Sequence, residues 1–407
     1  MTTSSAPGVR RLAGTLYAYA FLGDLILLYP LYTLLFSDTG LSVGQISSLF
    51  VIWSVTGILL EVPSGALADA VSRRLLVVLA PLFAGAGFAL WLLAPSYPAF
   101  ALGFVCWGAG GALGSGAVEA LVFTELDRLG AAGRYARTMG RAKTAGVLGV
   151  LASIVLAGPV FAAGGYPAVG VASVLATLLA AAVAAALPEH REARAPTAGE
   201  EGADLGWLAS LRAGLAEARA DRRVRSALLL VPGVTAVWGA LEEYTPLLAR
   251  DTGVAESSVP LLLLLGWAGV TLGGLLAAPA ERLTTRGYAG LLAFAAAALA
   301  AGAGLRHPAG FALLSAAFCA FQVATVLADA RLQARIADPS RATVTSVAGM
   351  ATDLTVIAVY GGYALVAGVT DNAVAFVVAA VPYLVVAAWL GIRPARGPVL
   401  AVRDGPR

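Results

Sequence analysis

Asp24 stands about twelve residues into an apolar run that begins at Leu12, where a membrane-crossing helix would reach mid-bilayer. The charged form of an acid is costly in hydrocarbon, and an acid kept there is a default candidate for reversible proton carriage. On helical spacing its face carries Tyr17, Phe21 and Leu28, an aromatic-rich stripe able to line a site for an apolar molecule. The other reading is a neutral, hydrogen-bonded structural aspartate. Asp353, about ten residues into a later run, offers the same proton chemistry or a tie between helices. Glu242 and Glu243 adjoin each other late in a third run, with Trp238 one turn before Glu242. Acid and indole on one face could bind a lipophilic cation by charge and cation–π attraction. Alternatively the two acids are simply exposed ahead of Pro246. Trp107 also lies inside a run, where it could line a pocket or pack. No Lys or Arg stands near the centre of any run, so the expected field inside is negative. Such a field favours protons and cationic or neutral organic molecules over anions.

Membrane helices are needed to hold these residues where they could act. Charged residues make up 13% of the 407, against roughly 25% in a soluble domain. Hydrophobic residues make up 59%, and the mean hydropathy is +0.83. A crossing takes ~20 mostly apolar residues. Runs of that length fall near 12–36, 42–66, 75–94, 99–123, 142–162 and 168–187. Six more follow a polar segment, near 226–249, 257–280, 287–305, 310–330, 344–367 and 373–392. With the N-terminus placed in the cytoplasm, all 27 Lys and Arg fall on the inner side except Arg250 and Arg306. A wrong span number would mix the two sides, so the asymmetry predicts twelve spans with both ends cytoplasmic. The expected protein is all-α, multi-pass and embedded in the plasma (inner) membrane bilayer, its first run retained and not cleaved. Residues 1–187 and 226–407 are the two six-helix halves, joined by a cytoplasmic linker at 188–225. That linker is either solvated or, over 205–225, an amphipathic helix on the membrane surface.

Several function classes are excluded by inventory. Cys106 and Cys319 both lie in apolar runs, while His190 and His307 sit in separate polar connections. Neither a metal-ligand spacing nor a Ser/His/Asp triad can be assembled from them. No Gly-x4-Gly-Lys-Ser/Thr loop is present to bind ATP. A net charge of +3, scattered along the chain, does not suit nucleic acid. No metal, cofactor or enzymatic activity is expected. A lipid-modifying enzyme would need paired polar catalysts at the surface, and only Glu125 and Asp127 come near that.

Span two ends in Gly65-Ala66-Leu67-Ala68-Asp69, with Arg73 and Arg74 following. Six spans later, span eight ends in Gly274-Leu275-Leu276-Ala277-Ala278, with Arg282 at the offset of Arg73. The recurrence predicts two related halves. Here the sequence resembles the major facilitator superfamily, whose loop between spans two and three reads Gly-x-Leu-Ala-Asp-Arg-x-Gly-Arg-Lys/Arg. Gly65, Leu67, Ala68, Asp69, Arg73 and Arg74 match, while Ala70 and Ser72 depart from it. Leu60-Glu61-Val62-Pro63-Ser64, Ser115 to Leu121 and Arg341 to Ser346 are similar to segments of drug:proton antiporter-like members. The mid-span-four arginine common in those antiporters is missing.

The resemblance implies two pseudo-symmetric six-helix bundles around a cavity lined by spans one, four, seven and ten, which adds Gln322 of span ten as a substrate contact. It also implies a cytoplasmic gating loop of Gly65, Asp69, Arg73 and Arg74, in which Asp69 pairs with a cation or caps a helix as a releasable latch. Otherwise the loop only sets topology. Glu119, Arg141 and Arg341, near other cytoplasmic ends, suit gating or structural ion pairs. The expected function is secondary transport of a small molecule by a monomer, with protons exchanged for small lipophilic or cationic compounds moving outward. The alternative is a proton symporter or facilitator importing a nutrient; a lipid-modifying enzyme is remote.

Overall fold

The computed structural model describes residues 5–190, 222–334, 336 and 341–392, and among the described residues there are helices and no strands. Hydrocarbon offers no hydrogen bonds, so a crossing backbone must satisfy its own N–H and C=O groups, as a helix does. Nine helices among the described residues are long and apolar enough to cross a membrane. One of them, Tyr135–Ala185, is two spans, because Gly164 and Gly165 inside it are non-helical. Gly165 has φ of 61°, a left-handed turn suited to glycine. The two remaining crossings, spans one and seven, are each broken into two pieces. The fold is therefore all-α, with twelve transmembrane helices in two six-helix bundles.

Span one consists of Ser5–Asp24 and Tyr32–Asp38; span seven consists of Arg222–Glu242 and Thr245–Asp251. Each break has a proline behind it. In a continuous helix the Pro30 ring would meet the Ile26 carbonyl, and Pro246 would meet that of Glu242. The first piece of span seven ends at that same Glu242. Each short second piece closes with one sequence, Leu34-Leu35-x-x-Asp38-Thr39-Gly40 and Leu247-Leu248-x-x-Asp251-Thr252-Gly253. Both closing glycines are left-handed, Gly40 at φ 89° and Gly253 at φ 83°. Sequence reading found the weaker Gly-x-Leu-Ala repeat and missed this one. The tethers recur too: Tyr166 donates to Asp38 at 2.5 Å, and Asn372 donates to Asp251 at 2.7 Å. Each donor stands at the start of the last helix of its own bundle.

The described residues form two compact units, the first half with Glu256–Leu261 and the second half without it. Most of the expected 188–225 connection lies outside the described residues. Helices in a membrane gain little from apolar burial against one another, since lipid is equally apolar; close packing and hydrogen bonds join them instead. In the first unit the helix of span five approaches the end of Ser5–Asp24 through Gly146 and Gly149. A Cβ on Gly149 would fall on the Phe21 carbonyl, and one on Gly146 on the Asp24 carboxylate. Aromatic packing fills the other end of this unit. Tyr32 and Phe36, on the short second piece of span one, pack against Trp91 and Phe104 with ring centroids 5.0–6.0 Å apart.

In the second unit, Arg306 pairs with Asp371 at 2.6 Å, and Asp371 also caps the helix Asn372–Ala379 by accepting from the Val374 N–H at 2.9 Å. The Val374 amide, and then the Arg306 guanidinium, hold the Asp371 carboxyl below the usual carboxylate range. Two measurements check these contacts. Gly149→Ala should cost about 1–3 kcal/mol, because backbone and not a flexible side chain is in the way. Gly14→Ala, where a Cβ meets nothing within 4 Å, should leave the melting temperature of the purified protein unchanged. For Asp371, the depressed folded-state pKa means its contribution is complete above the unfolded value of about 3.9 and fades as pH falls through the folded one. Asp371→Asn should flatten that acid limb of stability while removing a small, solvent-screened amount at pH 7.

Candidate functional site

Span one unwinds directly after Asp24, so the acid ends a helix and does not sit mid-helix. The chain then turns through residues 25–31 before Tyr32 resumes the helix. Unwound backbone leaves amides to be satisfied, and Ser173 of span six meets one of them. Its hydroxyl accepts from the Leu28 N–H at 3.0 Å and donates to the Val169 carbonyl at 2.7 Å. The break opens onto a cavity of about 380 Å³ within the first unit. Asp24, Tyr19 and Tyr29 line it from span one, Pro81 from span three and Trp107 from span four. Lys143 and Met139 line it from span five. Trp107 stacks on Tyr29 with centroids 5.3 Å apart and planes at 13°, and on Trp53 at 4.9 Å. It is therefore both a wall of the cavity and part of the packed aromatic cluster.

Three expectations change here. Tyr17 and Phe21 are not among the cavity's lining residues. The helical face that reaches the cavity runs through Leu16, Tyr19, Ala20 and Gly23 to Asp24. Tyr17 packs beside the apolar core of the first unit, and Phe21 presents its carbonyl to Gly149. The aromatic residues that line the cavity with Asp24 are instead Tyr19, Tyr29 and Trp107. The expected purely negative interior is also corrected, since Lys143 shares the cavity. Sequence reading counted Lys143 with the cytoplasmic charges; the available signal was that it is the chain's single lysine.

The second break lies at Glu242 and Glu243. Tyr383 of span twelve plays the part of Ser173: its hydroxyl accepts from the Trp238 N–H at 2.7 Å and donates to the Val234 carbonyl at 3.1 Å. A hydroxyl thus sits inside the helical ladder one turn before the acids, a recognised cause of helix bending. Trp238 is only 8% exposed; its indole N–H donates to Thr325 at 3.2 Å and its ring packs 6.0 Å from Phe318. These contacts make it a packing residue, which corrects the expected cation-binding pair with Glu242. Glu242 and Glu243 lie instead within electrostatic reach of Tyr360, beside the stacked Tyr244–Tyr363 pair. Gln322 is half-buried, and its Cβ lies where a side chain on Gly273 of span eight would stand. Asp353 is exposed on the helix Arg341–Val369. Tyr383→Phe should destabilise the protein by about 1–2 kcal/mol through the loss of two buried hydrogen bonds, measured as thermal unfolding of the purified variant.

The loop between spans two and three is held differently from expectation. Gly65, Asp69 and Arg341 are helical positions, and the surroundings of all three lie outside what is described. The Arg73 guanidinium reaches the Thr124 hydroxyl at 2.9 Å and the Ala120 carbonyl at 3.4 Å, both on the helix Ala117–Arg128 that completes span four. Ser72, a departure from the loop motif, caps the helix Arg73–Leu93 by accepting from the Leu75 N–H. Glu189, which sequence reading passed over, accepts from the Ser72 hydroxyl at 2.5 Å and the Arg73 N–H at 2.8 Å. Its neighbour His190 docks on Glu125, 2% exposed, through its backbone N–H at 2.7 Å and Nδ1 at 2.9 Å. Glu119 is corrected: its carboxylate caps its own helix through the Gly116 N–H at 3.1 Å, and among the described residues it makes no ion pair. Arg74 and Arg141 are exposed. The common cause is that every helix end leaves unpaired amides, and carboxylates beside them are used as caps first.

Comparison with known proteins follows the same lines. No curated protein matches this chain. A mutant of the nucleoside transporter NupG has a similar structure, with a TM-score of 0.75 at 12% identity over 93% of this chain and 98% of that one. A bacterial homologue of the human lysosomal transporter Spinster, inward-facing and unoccupied, gives 0.71 at 16% identity over 96% and 97%. A D-xylose-proton symporter gives 0.61 at 16% identity over 94% and 96%. At these identities the likeness is one of fold. The family model of the Major Facilitator Superfamily matches residues 14–360. With twelve helices in two bundles and that match over most of its length, the chain belongs to the Major Facilitator Superfamily and is a multi-pass membrane transporter, not an enzyme.

Proposed function

We propose that this transporter couples substrate movement to protons by alternating access, with Asp24 as the proton carrier. The observation that supports this most is the position of Asp24 at the unwound end of a helix, on the wall of a cavity. Broken helices are where transporters build binding sites, because their freed backbone and side chains can face a ligand without facing lipid. An acid there exchanges its proton with whichever side the cavity faces. Tyr19, Tyr29 and Lys143 are the other titratable groups lining the cavity. Small compounds with an apolar or aromatic body fit its walls, and the direction proposed is outward, in exchange for entering protons. The transporter works as a monomer in the plasma membrane, and the distribution of Lys and Arg favours cytoplasmic termini.

A second reading, proton symport inward, draws support from the structural likeness to a D-xylose-proton symporter. The two readings share Asp24 and differ only in which direction a proton gradient drives the substrate. In proteoliposomes with an imposed pH gradient, Asp24→Asn should reduce gradient-driven transport to background while size-exclusion profile and helicity stay those of the parent. Full retention of gradient-driven transport in that variant removes Asp24 from the mechanism. Accumulation against an inward-directed proton gradient distinguishes export from import.

A further inference from the structure

We propose that the first-half cavity takes an amphoteric molecule, its amine on Asp24, its acid on Lys143, and its apolar or aromatic body along Trp107 and Tyr29. The inference rests on the reading of this cavity as the transport site and names the class of compound it carries. Lys143 lies three residues before Gly146, whose backbone abuts the Asp24 carboxylate. At a rise of about 1.5 Å per residue, the lysine therefore stands roughly 4.5 Å further along the same helix. The acid and the base are thus presented to one cavity at offset heights. Among the described residues neither makes a hydrogen bond or an ion pair, with each other or with anything else.

Those facts select a ligand. Asp24 is half-buried and Lys143 exposed where both line the cavity, and a ligand that meets both charges at once gains more than one that meets either. A simple organic cation pairs with Asp24 but brings its charge towards Lys143. A simple anion pairs with Lys143 and meets the Asp24 carboxylate. The cavity thus carries its own repulsive element against singly charged compounds, which is how specificity is built. Lysine also differs from the arginines that supply every other cation-bearing position apart from histidine. Its ammonium is a compact point charge on a flexible stem, able to follow acids placed at different distances. The volume of about 380 Å³ lies near the lower end of small-molecule sites, roughly 300–1,000 Å³, so the occupant is small. Tyr29 and Trp107, half-buried in the cavity wall, offer the apolar surface they leave uncovered to its body.

Three probes with one ring and different ends test this: phenylalanine, phenethylamine and 3-phenylpropanoate. Equilibrium binding to the purified full chain should favour phenylalanine by about tenfold or more over either singly charged analogue. Lys143→Gln should shift the preference to phenethylamine, Asp24→Asn should shift it to 3-phenylpropanoate, and Lys143→Arg should keep the parent order. The arginine variant keeps the test informative should the neutral one fail to fold. Phenethylamine bound best by the parent and unaffected by Lys143→Gln overturns the proposal, as do equal responses or no response to all three probes. Transport separates the two readings. Phenethylamine flux driven by a pH gradient, lost in Asp24→Asn and unchanged in Lys143→Gln, leaves proton coupling standing and overturns the amphoteric class. The expected binding order together with gradient-driven flux that persists in Asp24→Asn overturns proton carriage by Asp24 alone.

Discussion

A peptide amide inside a bilayer has no water to fall back on, so every break in a transmembrane helix must be repaired by some other part of the protein. The functional geometry of this transporter grows out of that requirement. Pro30 and Pro246 each remove a backbone donor and crowd the carbonyl four residues earlier, at the breaks of spans one and seven. Ser173 and Tyr383, each on the last helix of its bundle, supply the hydroxyls that satisfy the opened backbone. Because the repair comes from the last helix, the first and last helices of each bundle are bound together at the break. The Tyr166–Asp38 and Asn372–Asp251 contacts join them again at the end of the short second piece. An acid placed at such a break is held by a braced structure while its carboxyl group stays available to a ligand or a proton.

Close helix packing does the rest of the positioning. Where lipid removes the apolar drive for association, approach distance decides which helices meet. Gly146 and Gly149 let span five lie against the end of the first helix, and the same helix carries Lys143 one turn away. The cavity beside Asp24 is thus a consequence of two glycines and a proline as much as of the residues that line it. Around the loop between spans two and three the logic is that of helix ends. Glu189, Glu119 and Ser72 satisfy exposed amides, while Arg73 reaches across to span four. Glu125 and Glu189 also secure the residues that follow span six to this surface.

The two halves differ in what their breaks present. The first offers one acid, one base and stacked aromatic rings around a cavity. The second offers two adjacent acids facing a tyrosine-rich packing of Tyr244, Tyr360 and Tyr363, with Trp238 already committed to Thr325 and Phe318. A shared ancestral plan is visible in the repeated Leu-Leu-x-x-Asp-Thr-Gly closure, yet the groups placed next to the two breaks are chemically distinct.

The span number and the all-α architecture were legible in the sequence, because crossing a membrane imposes a length and a composition on each segment independently of its neighbours. Asp24, Glu242 and Glu243 also stood out, since an acid among apolar residues is conspicuous in one dimension. The prolines of spans one and seven were equally visible, but a proline by itself does not say where a helix ends, as Pro81 and Pro232 inside continuous helices show. What surrounds those acids was not legible. Tyr17 and Phe21 share a helical face near Asp24 in an unbroken helix, whereas the break and the glycine contact select Tyr19, Tyr29 and Lys143. Glu119 looked like a partner for Arg141 until the helix start at Ala117 claimed it. Such choices rest on which helices approach closely and where their ends fall. They depend on contacts between residues as far apart as Leu28 and Ser173, or Trp238 and Tyr383, and local spacing carries no record of them.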